Sequence, residues 1–159
     1  MSRLTTDQKG AIAETAIIHA AVKLGIGVYK PLADGDRYDL IFDLGTKLVR
    51  VQCKWAVQHG DVVVVRCSTC RRTRNGLLHQ AYTPDEIDAF AAYCAALDRC
   101  YYLPVDSFPH RRAIQLRLAP TRNNQRQRIN WARDFEFGRL DWDAVGAVAQ
   151  LGERAAGSR

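Results

Sequence analysis

A carboxylate, an amide and an ammonium stand close together in the stretch YDLIFDLGTKLVRVQCKWA, residues 38–56. The groups are Asp39, Gln52 and Lys54, and Glu14 adds a second carboxylate earlier in the chain. Carboxylate and amide oxygens are hard donors that suit a hard cation, while an ammonium beside them suits an anion. The question for the fold is whether these groups meet, and why a strand with a packed face would carry them.

The stretch patterns as a β-hairpin, with residues 44–47 supplying a two-residue loop. Paired residues then have numbers with a constant sum, which sets Asp39 directly opposite Gln52. Lys54 shares the parity of Gln52, so the three polar groups lie on one face. Val49, Val51, Cys53 and Trp55 make the other, apolar face. A slip of one residue in the turn would scatter the cluster. The alternative is a Lys–Asp pair across two exposed strands.

Residues 5–24 form the first helix, with Thr5 and Gln8 as a capping box and Gly25 as the stop. Gly10, Ile17, Ile18 and Ala21 neighbour Glu14 on that helix, a small and apolar setting for a carboxylate. The alternative for Glu14 is an ordinary acid helped by the helix dipole.

Other elements follow from pattern. Residues 28–31 make a short strand before the turn-like ADGDR, and DVVVVRC, residues 61–67, makes a third hairpin-linked strand. Residues 66–79 carry Arg66, Arg71, Arg72, Arg74 and His79 without an acid, and are expected to be a mobile basic loop. Residues 84–105 are ambiguous, since the alanines favour helix while Tyr101, Tyr102 and Val105 favour strand. AIQLRL, residues 113–118, alternates as a strand. The polar, basic stretch from Pro120 to Phe137 ends in a short helix on the core. No repeat or linker interrupts the chain, so residues 1–145 form a single domain and residues 146–159 a tail outside the core. GAVAQLGER within that tail resembles a translated tRNA D-arm.

The bounds are consistent with one packed domain. The chain has 159 residues, 47% hydrophobic and 25% charged, and a net charge of +6. That basicity favours a polyanionic partner. No apolar run is long enough for a membrane span, and the polar N-terminus lacks a signal core. Five cysteines, an odd number without an export signal, are expected as reduced thiols in the cytoplasm. Cys67 and Cys70 have the spacing of half a zinc site, but no second pair of that spacing completes it. His19, His59, His79 and His110 are scattered.

Glu14 on a first helix, then Asp39, then Gln52-Cys53-Lys54 on the next strand resembles the PD-(D/E)XK nuclease superfamily. The likeness is greatest to the branch with Q-x-K in the third motif, where group I intron-encoded homing endonucleases stand beside nucleases similar to archaeal Holliday junction resolvases. RYDLIFD…VRVQCKWA, EIDAFAAYC…CYYLPV and NNQ…INWARDFEF resemble that branch, over most of residues 7–137. Two departures stand out: Tyr38 replaces proline before Asp39, and Gln52 replaces the usual acid.

The resemblance implies an α/β (α+β) fold, a restriction-endonuclease-like core with a mixed β-sheet flanked by helices. It resolves the ambiguous stretch as a short helix at 84–88 and strands at 89–94 and 100–105. It implies a Mg2+-dependent (or Mn2+-dependent) endonuclease of the homing type acting on double-stranded DNA, with no membrane role. In that setting Asp39, Gln52, Glu14 and the Cys53 carbonyl would hold the metal, and Lys54 would act at the phosphate. Arg66, Arg71, Arg72, Arg74, Arg122, Arg126 and Arg128 would track phosphates, with Asn123 and Asn124 reaching bases or backbone. The alternative for these arginines is a solvated basic face. The competing functions are a junction resolvase or repair nuclease, and a binding module on a decayed nuclease scaffold. Cutting both strands calls for a homodimer or homotetramer. Phe135, Phe137 and Trp142 are either apolar surface for that contact or closure of the core.

Overall fold

In the computed structural model, residues 3–123 and 125–147 are described, with backbone alone at residues 70–72. The helix α1 spans Thr6–Lys23. Its capping box is formed as expected: Thr5 Oγ1 accepts from the Gln8 N–H at 3.2 Å, and Gln8 Oε1 accepts from the Thr5 N–H at 2.9 Å. Ala13, Ile17 and Ala21, spaced by four, bury one face. Gly25, at φ 79°, turns the chain toward the sheet.

The strands in chain order are β1 (Gly27–Tyr29), β2 (Leu40–Asp43), β3 (Leu48–His59), β4 (Val62–Arg66), β5 (Ser68–Thr73), β6 (Gly76–Ala81), β7 (Ala89–Cys94), β8 (Arg99–Pro104) and β9 (Ala113–Arg117). Seven of them form one mixed sheet, ordered β1-β2-β3-β4-β9, with β7 also on β3 and β8 on β7. All its pairings are antiparallel except β3 with β7. The sheet therefore carries apolar residues on both faces. Val49, Val51, Ala89 and Ala91 pack toward α1 with Ile17, while Ala56, Phe90, Ala92 and Leu103 pack on the opposite face.

The turn at residues 44–47 has the expected register, Leu40 pairing Val51 and Asp43 pairing Leu48. Strands at Ala89–Cys94 and Arg99–Pro104 match the reading by resemblance, not the alanine propensity.

Three expectations are corrected. Residues 66–79 are not a loop: most of them belong to the β5–β6 hairpin, whose turn closes where Thr73 pairs with Gly76 at φ 116°. Residues 84–88 make a turn, not a short helix. The Arg50 guanidinium takes the carbonyls of Pro84 and Asp85, which a helix would need for its own ladder. The Asp88 N–H goes to the Arg50 carbonyl instead, at 2.9 Å. The expected short helix before Phe137 is replaced by 3-10 turns at Ala132–Asp134 and Phe137–Arg139.

The late aromatics close the core. Phe137 is buried, and its ring meets Phe42 and Trp142 edge-on at 6.1 and 5.2 Å. Phe135 packs on Phe108 at 5.3 Å. Residues 142–147 are helical, and the rest of the expected tail, 148–159, lies outside the described residues.

Arg50 and Asp88 fix where β7 begins. The Arg50 Nε and Nη2 groups each donate to the Asp88 carboxylate at 3.1 Å, and the Arg50 backbone N–H adds a third bond at 2.8 Å. Burial pushes the Asp88 carboxyl up, but these hydrogen bonds outweigh it and hold the group below its ordinary value. Replacing Arg50 with alanine is expected to cost about 1–2 kcal/mol. Urea denaturation measures this, and lysine at the position should restore only part, because it lacks the two-pronged geometry.

Candidate active site

β3 is paired with β2 over residues 48–51 and with β4 over residues 56–59. Over residues 52–55 its strand partner is β7 alone. One edge of the central strand is thus open for four residues, in the middle of a sheet packed on both faces.

Asp39 fills that opening. Its N–H bonds to the Val51 carbonyl at 2.9 Å, so the one-to-one ladder beyond Leu40 is broken and Asp39 is not ladder-paired with Gln52. Its Oδ2 accepts the Cys53 N–H at 2.8 Å. A residue in a strand directs N–H and C=O toward the same edge. The Cys53 carbonyl therefore lies along the edge that Asp39 occupies.

Charges approach the opening from both faces of the sheet. Glu14 arrives on α1, half-buried and ion-paired with Lys30. Lys54 lies on the opposite face, against the rings of Tyr82 and Phe90 at 4.7 and 6.0 Å. Gln52 shares the parity of Lys54, and among the described residues its amide makes no hydrogen bond.

The electrostatics follow from burial. Burial pushes the Asp39 carboxyl up, and the charge of Glu14 adds to this, while the Cys53 N–H and Lys54 act the other way. Burial draws the Lys54 ammonium below its ordinary value, and the neighbouring Arg37 contributes. The Cys53 thiol is pushed up by burial and by Asp39, so it stays protonated and offers no thiolate.

The structure thus brings Asp39, the Cys53 backbone, Glu14 and Lys54 around one opening. It also assembles two residues that sequence reasoning missed. Arg37 stands 4.1 Å from the Tyr82 ring centroid, and the Tyr82 hydroxyl lies 3.5 Å from Lys54 Nζ. Arg37 stood in plain view two residues before Asp39, but nothing in its spacing signalled a partner beyond the hairpin.

The expected DNA contacts fall in two places. Arg66 ends β4 and Arg74 lies in the β5–β6 turn, both exposed. Arg71 and Arg72 lie on β5, and their side chains are outside the description. Arg122, Asn123, Arg126 and Arg128 are exposed in the segment after β9, and Asn124 lies outside the described residues. Arg128 lines an open groove with Arg111 and Arg117, two further arginines that the sequence pattern did not single out.

The sequence model of the PD-(D/E)XK endonuclease family matches residues 4–138. The chain belongs to that family. The structure is similar to that of a bacterial homing endonuclease, I-Ssp6803I, with a TM-score of 0.69 and 31% identity, covering 95% of this chain and 97% of the other. No curated protein sequence matches the chain. The restriction-endonuclease-like fold and the homing branch expected from the Q-x-K pattern are both borne out. As a member of the family the chain is an endonuclease. No helix among the described residues is long and apolar enough to cross a membrane.

The half-buried Asp39 carboxylate has a consequence for stability. A carboxyl whose folded pKa is raised binds its proton more tightly in the folded state. Its ionised form therefore costs stability at neutral pH, and the cost disappears as pH falls through the folded pKa and below the unfolded one. Asp39→Asn keeps an oxygen acceptor for the Cys53 N–H and removes the charge. Thermal melts should show the variant at least as stable as the wild type at pH 7, with the difference closing in acid. A variant less stable at pH 7 than at pH 4, relative to wild type, would contradict this.

Proposed function

We propose that the chain is a Mg2+-dependent (or Mn2+-dependent) DNA endonuclease of the homing type, which cuts double-stranded DNA at a defined site. The observation that carries this reading is the Asp39 carboxylate fixed on the Cys53 N–H in the open edge of β3, with Glu14 and Lys54 on either face.

The donor set fits a hard divalent cation. Asp39 and Glu14 offer carboxylate oxygens, Gln52 an amide oxygen without a hydrogen-bond partner among the described residues, and Cys53 a backbone carbonyl. Asp39 and Glu14 repel each other across the opening, which favours a cation there. Among the described residues no three His, Cys, Asp or Glu side chains converge to hold a metal, so the amide and the carbonyl would complete the set. When bound, the ion would supply Lewis acidity toward a phosphate oxygen and toward water.

The protein's own groups do the rest. The Cys53 N–H keeps Asp39 from rotating away from the opening. Lys54 Nζ stands where a phosphate presented to Asp39 would meet a positive charge, offsetting the charge that develops as the bond breaks. Its lowered pKa makes that nitrogen readier than an exposed lysine to exchange a proton with water. Gln52, being neutral, removes a negative charge that would otherwise oppose an approaching phosphate.

The arginines on and beside the β5–β6 hairpin and after β9 support a DNA-holding role: Arg66, Arg71, Arg72 and Arg74 in one group, Arg122, Arg126 and Arg128 in the other, with Asn123 and Asn124. The free thiols at Cys53, Cys67, Cys94 and Cys100 support a reducing, cytoplasmic setting. One site cuts one strand, so a double-strand cut supports a homodimer or homotetramer. Phe137 is buried, and Phe135 and Trp142 are partly buried against the core, which supports their closing the core over their serving as the contact surface.

A randomised-target library of supercoiled plasmid and four-way junctions, incubated with Mg2+ and with EDTA, test the reading. Cleavage should require the metal, and plasmid should be cut to discrete linear products. Preference for junctions would instead support a resolvase. Lys54→Ala and Asp39→Ala should each slow cleavage on the order of a thousandfold while DNA binding persists. Cleavage surviving in both would remove this site from the mechanism.

Binding has its own test. Replacing Arg71, Arg72 and Arg74 with alanine should flatten the salt dependence of duplex affinity, by roughly 0.9 in the log–log slope for each phosphate that these side chains neutralise. An unchanged slope would mean that these arginines touch no phosphate.

A further inference from the structure

The β5–β6 hairpin and the reactive strand meet at one aromatic ring. Tyr82 is the first residue beyond β6. Arg37 Cζ lies 4.1 Å and Lys54 Nζ 4.7 Å from its centroid, and Lys54 donates to its hydroxyl at 3.5 Å. Phe90 meets the ring edge-on at 5.4 Å and fixes its tilt. Arg37 reaches both strands of the hairpin, donating to Thr69 Oγ1 at 3.4 Å and to the Ala81 carbonyl at 3.1 Å. Arg37 also ion-pairs with Glu86 at 3.3 Å, in the turn that leads to β7.

Two cations on one ring would ordinarily repel each other apart. The negative face of the ring offsets both, and Glu86 offsets Arg37 a second time. Among the described residues no carboxylate forms an ion pair with Lys54. A long, flexible ammonium is thereby held in place without a counter-anion that an incoming phosphate would have to displace.

We propose that Tyr82 is a positioning residue for Lys54 and that Arg37 is the strap that keeps Tyr82 in place, so that the seating of the β5–β6 hairpin sets where the Lys54 ammonium stands. This inference rests on the nuclease reading of the site. Its consequence is that the hairpin belongs to the reactive apparatus as well as to the DNA-holding surface. Without the ring, Arg37 and Lys54 would face each other directly, and the lysine, tethered only by its own stem, would move away.

The test compares wild type with Tyr82→Phe, Tyr82→Leu and Arg37→Lys. Single-turnover cleavage, in Mn2+, of a supercoiled plasmid recovered from a randomised-target library as a substrate of the wild type is measured alongside affinity for sheared duplex DNA and the melting temperature. Tyr82→Leu should slow cleavage on the order of a hundredfold at nearly unchanged DNA affinity. Tyr82→Phe, which keeps the ring, should recover most of that loss. Arg37→Lys keeps the charge but loses the fork that spans the hairpin, and should slow cleavage about tenfold. It carries the test if Tyr82→Leu fails to fold.

A readout independent of cleavage is the NMR spectrum of protein labelled with 13C-lysine. The Lys54 methylene protons should be shifted upfield by the ring in wild type and Tyr82→Phe, and return toward ordinary lysine positions in Tyr82→Leu. Wild-type cleavage rates in Tyr82→Leu, or Lys54 signals that do not move, would overturn the positioning role and leave the nuclease reading intact. A wild-type protein that cuts no member of a randomised-target plasmid library in Mn2+ would overturn the nuclease reading itself, while the Lys54 signals would still report on the ring.

Discussion

The parallel pairing of β3 with β7 is the constraint on which the rest of the structure depends. A parallel neighbour cannot be reached by a tight turn, so the chain must leave β3, travel and return. Here the crossover contains β4, the β5–β6 hairpin and the turn at residues 84–88, with no helix. Nothing in that route fixes the register by itself. The Arg50–Asp88 pair does so: the side chain, N–H and carbonyl of one residue all engage the residue just before β7. Once Val51 is set beside Ala89, Gln52 and Lys54 follow on a strand that is half-buried over residues 52–55.

That packing accounts for polar groups lying where β3 loses a partner. Polar side chains on a fully paired central strand would have to be desolvated against apolar neighbours on either face. Opening one edge over residues 52–55 gives them a place to meet solvent without breaking the sheet. Asp39 closes the opening just enough to satisfy the Cys53 N–H. The cost is visible in Asp39 and Lys54, both of whose charged forms are disfavoured by burial. Opposed charges disfavoured by burial at a single opening mark a candidate functional site.

Much of this was legible in the sequence where local rules act alone. The capping box at Thr5 and the two-residue turn after Leu44 depend on a few adjacent residues, and both formed as their spacing implied. The ladder from that turn carried Asp39 to within one residue of its true place, and only the break at Val51 was invisible. The β5–β6 hairpin was misread because its arginines look like a solvated loop, although Asn75-Gly76 is a hairpin signal that composition overshadowed. The turn at residues 84–88 was beyond local reading altogether. Thr83 and Glu86 form the start of a capped helix, with Glu86 Oε2 accepting the Thr83 N–H, but a distant arginine takes the carbonyls that would continue it. Arg37 and Tyr82 were missed for the same reason: their importance lies in a contact across strands far apart in sequence.

Two carboxylate–cation pairs show how the same chemistry serves opposite ends. Arg50 grips Asp88 through two guanidinium nitrogens and a backbone N–H, with both side chains about a quarter to a third exposed. Geometry of that kind leaves neither partner free to exchange, so the pair holds structure. Lys30 meets Glu14 through a single ammonium, and Lys30 itself is 62% exposed. An exposed lysine pair contributes little to stability, because water and salt compete for both ends. Glu14 is therefore held by a partner it can give up. A fold that used arginine there would have locked the carboxylate into the scaffold; lysine leaves it free to take another partner, as the proposed cation role of Glu14 requires.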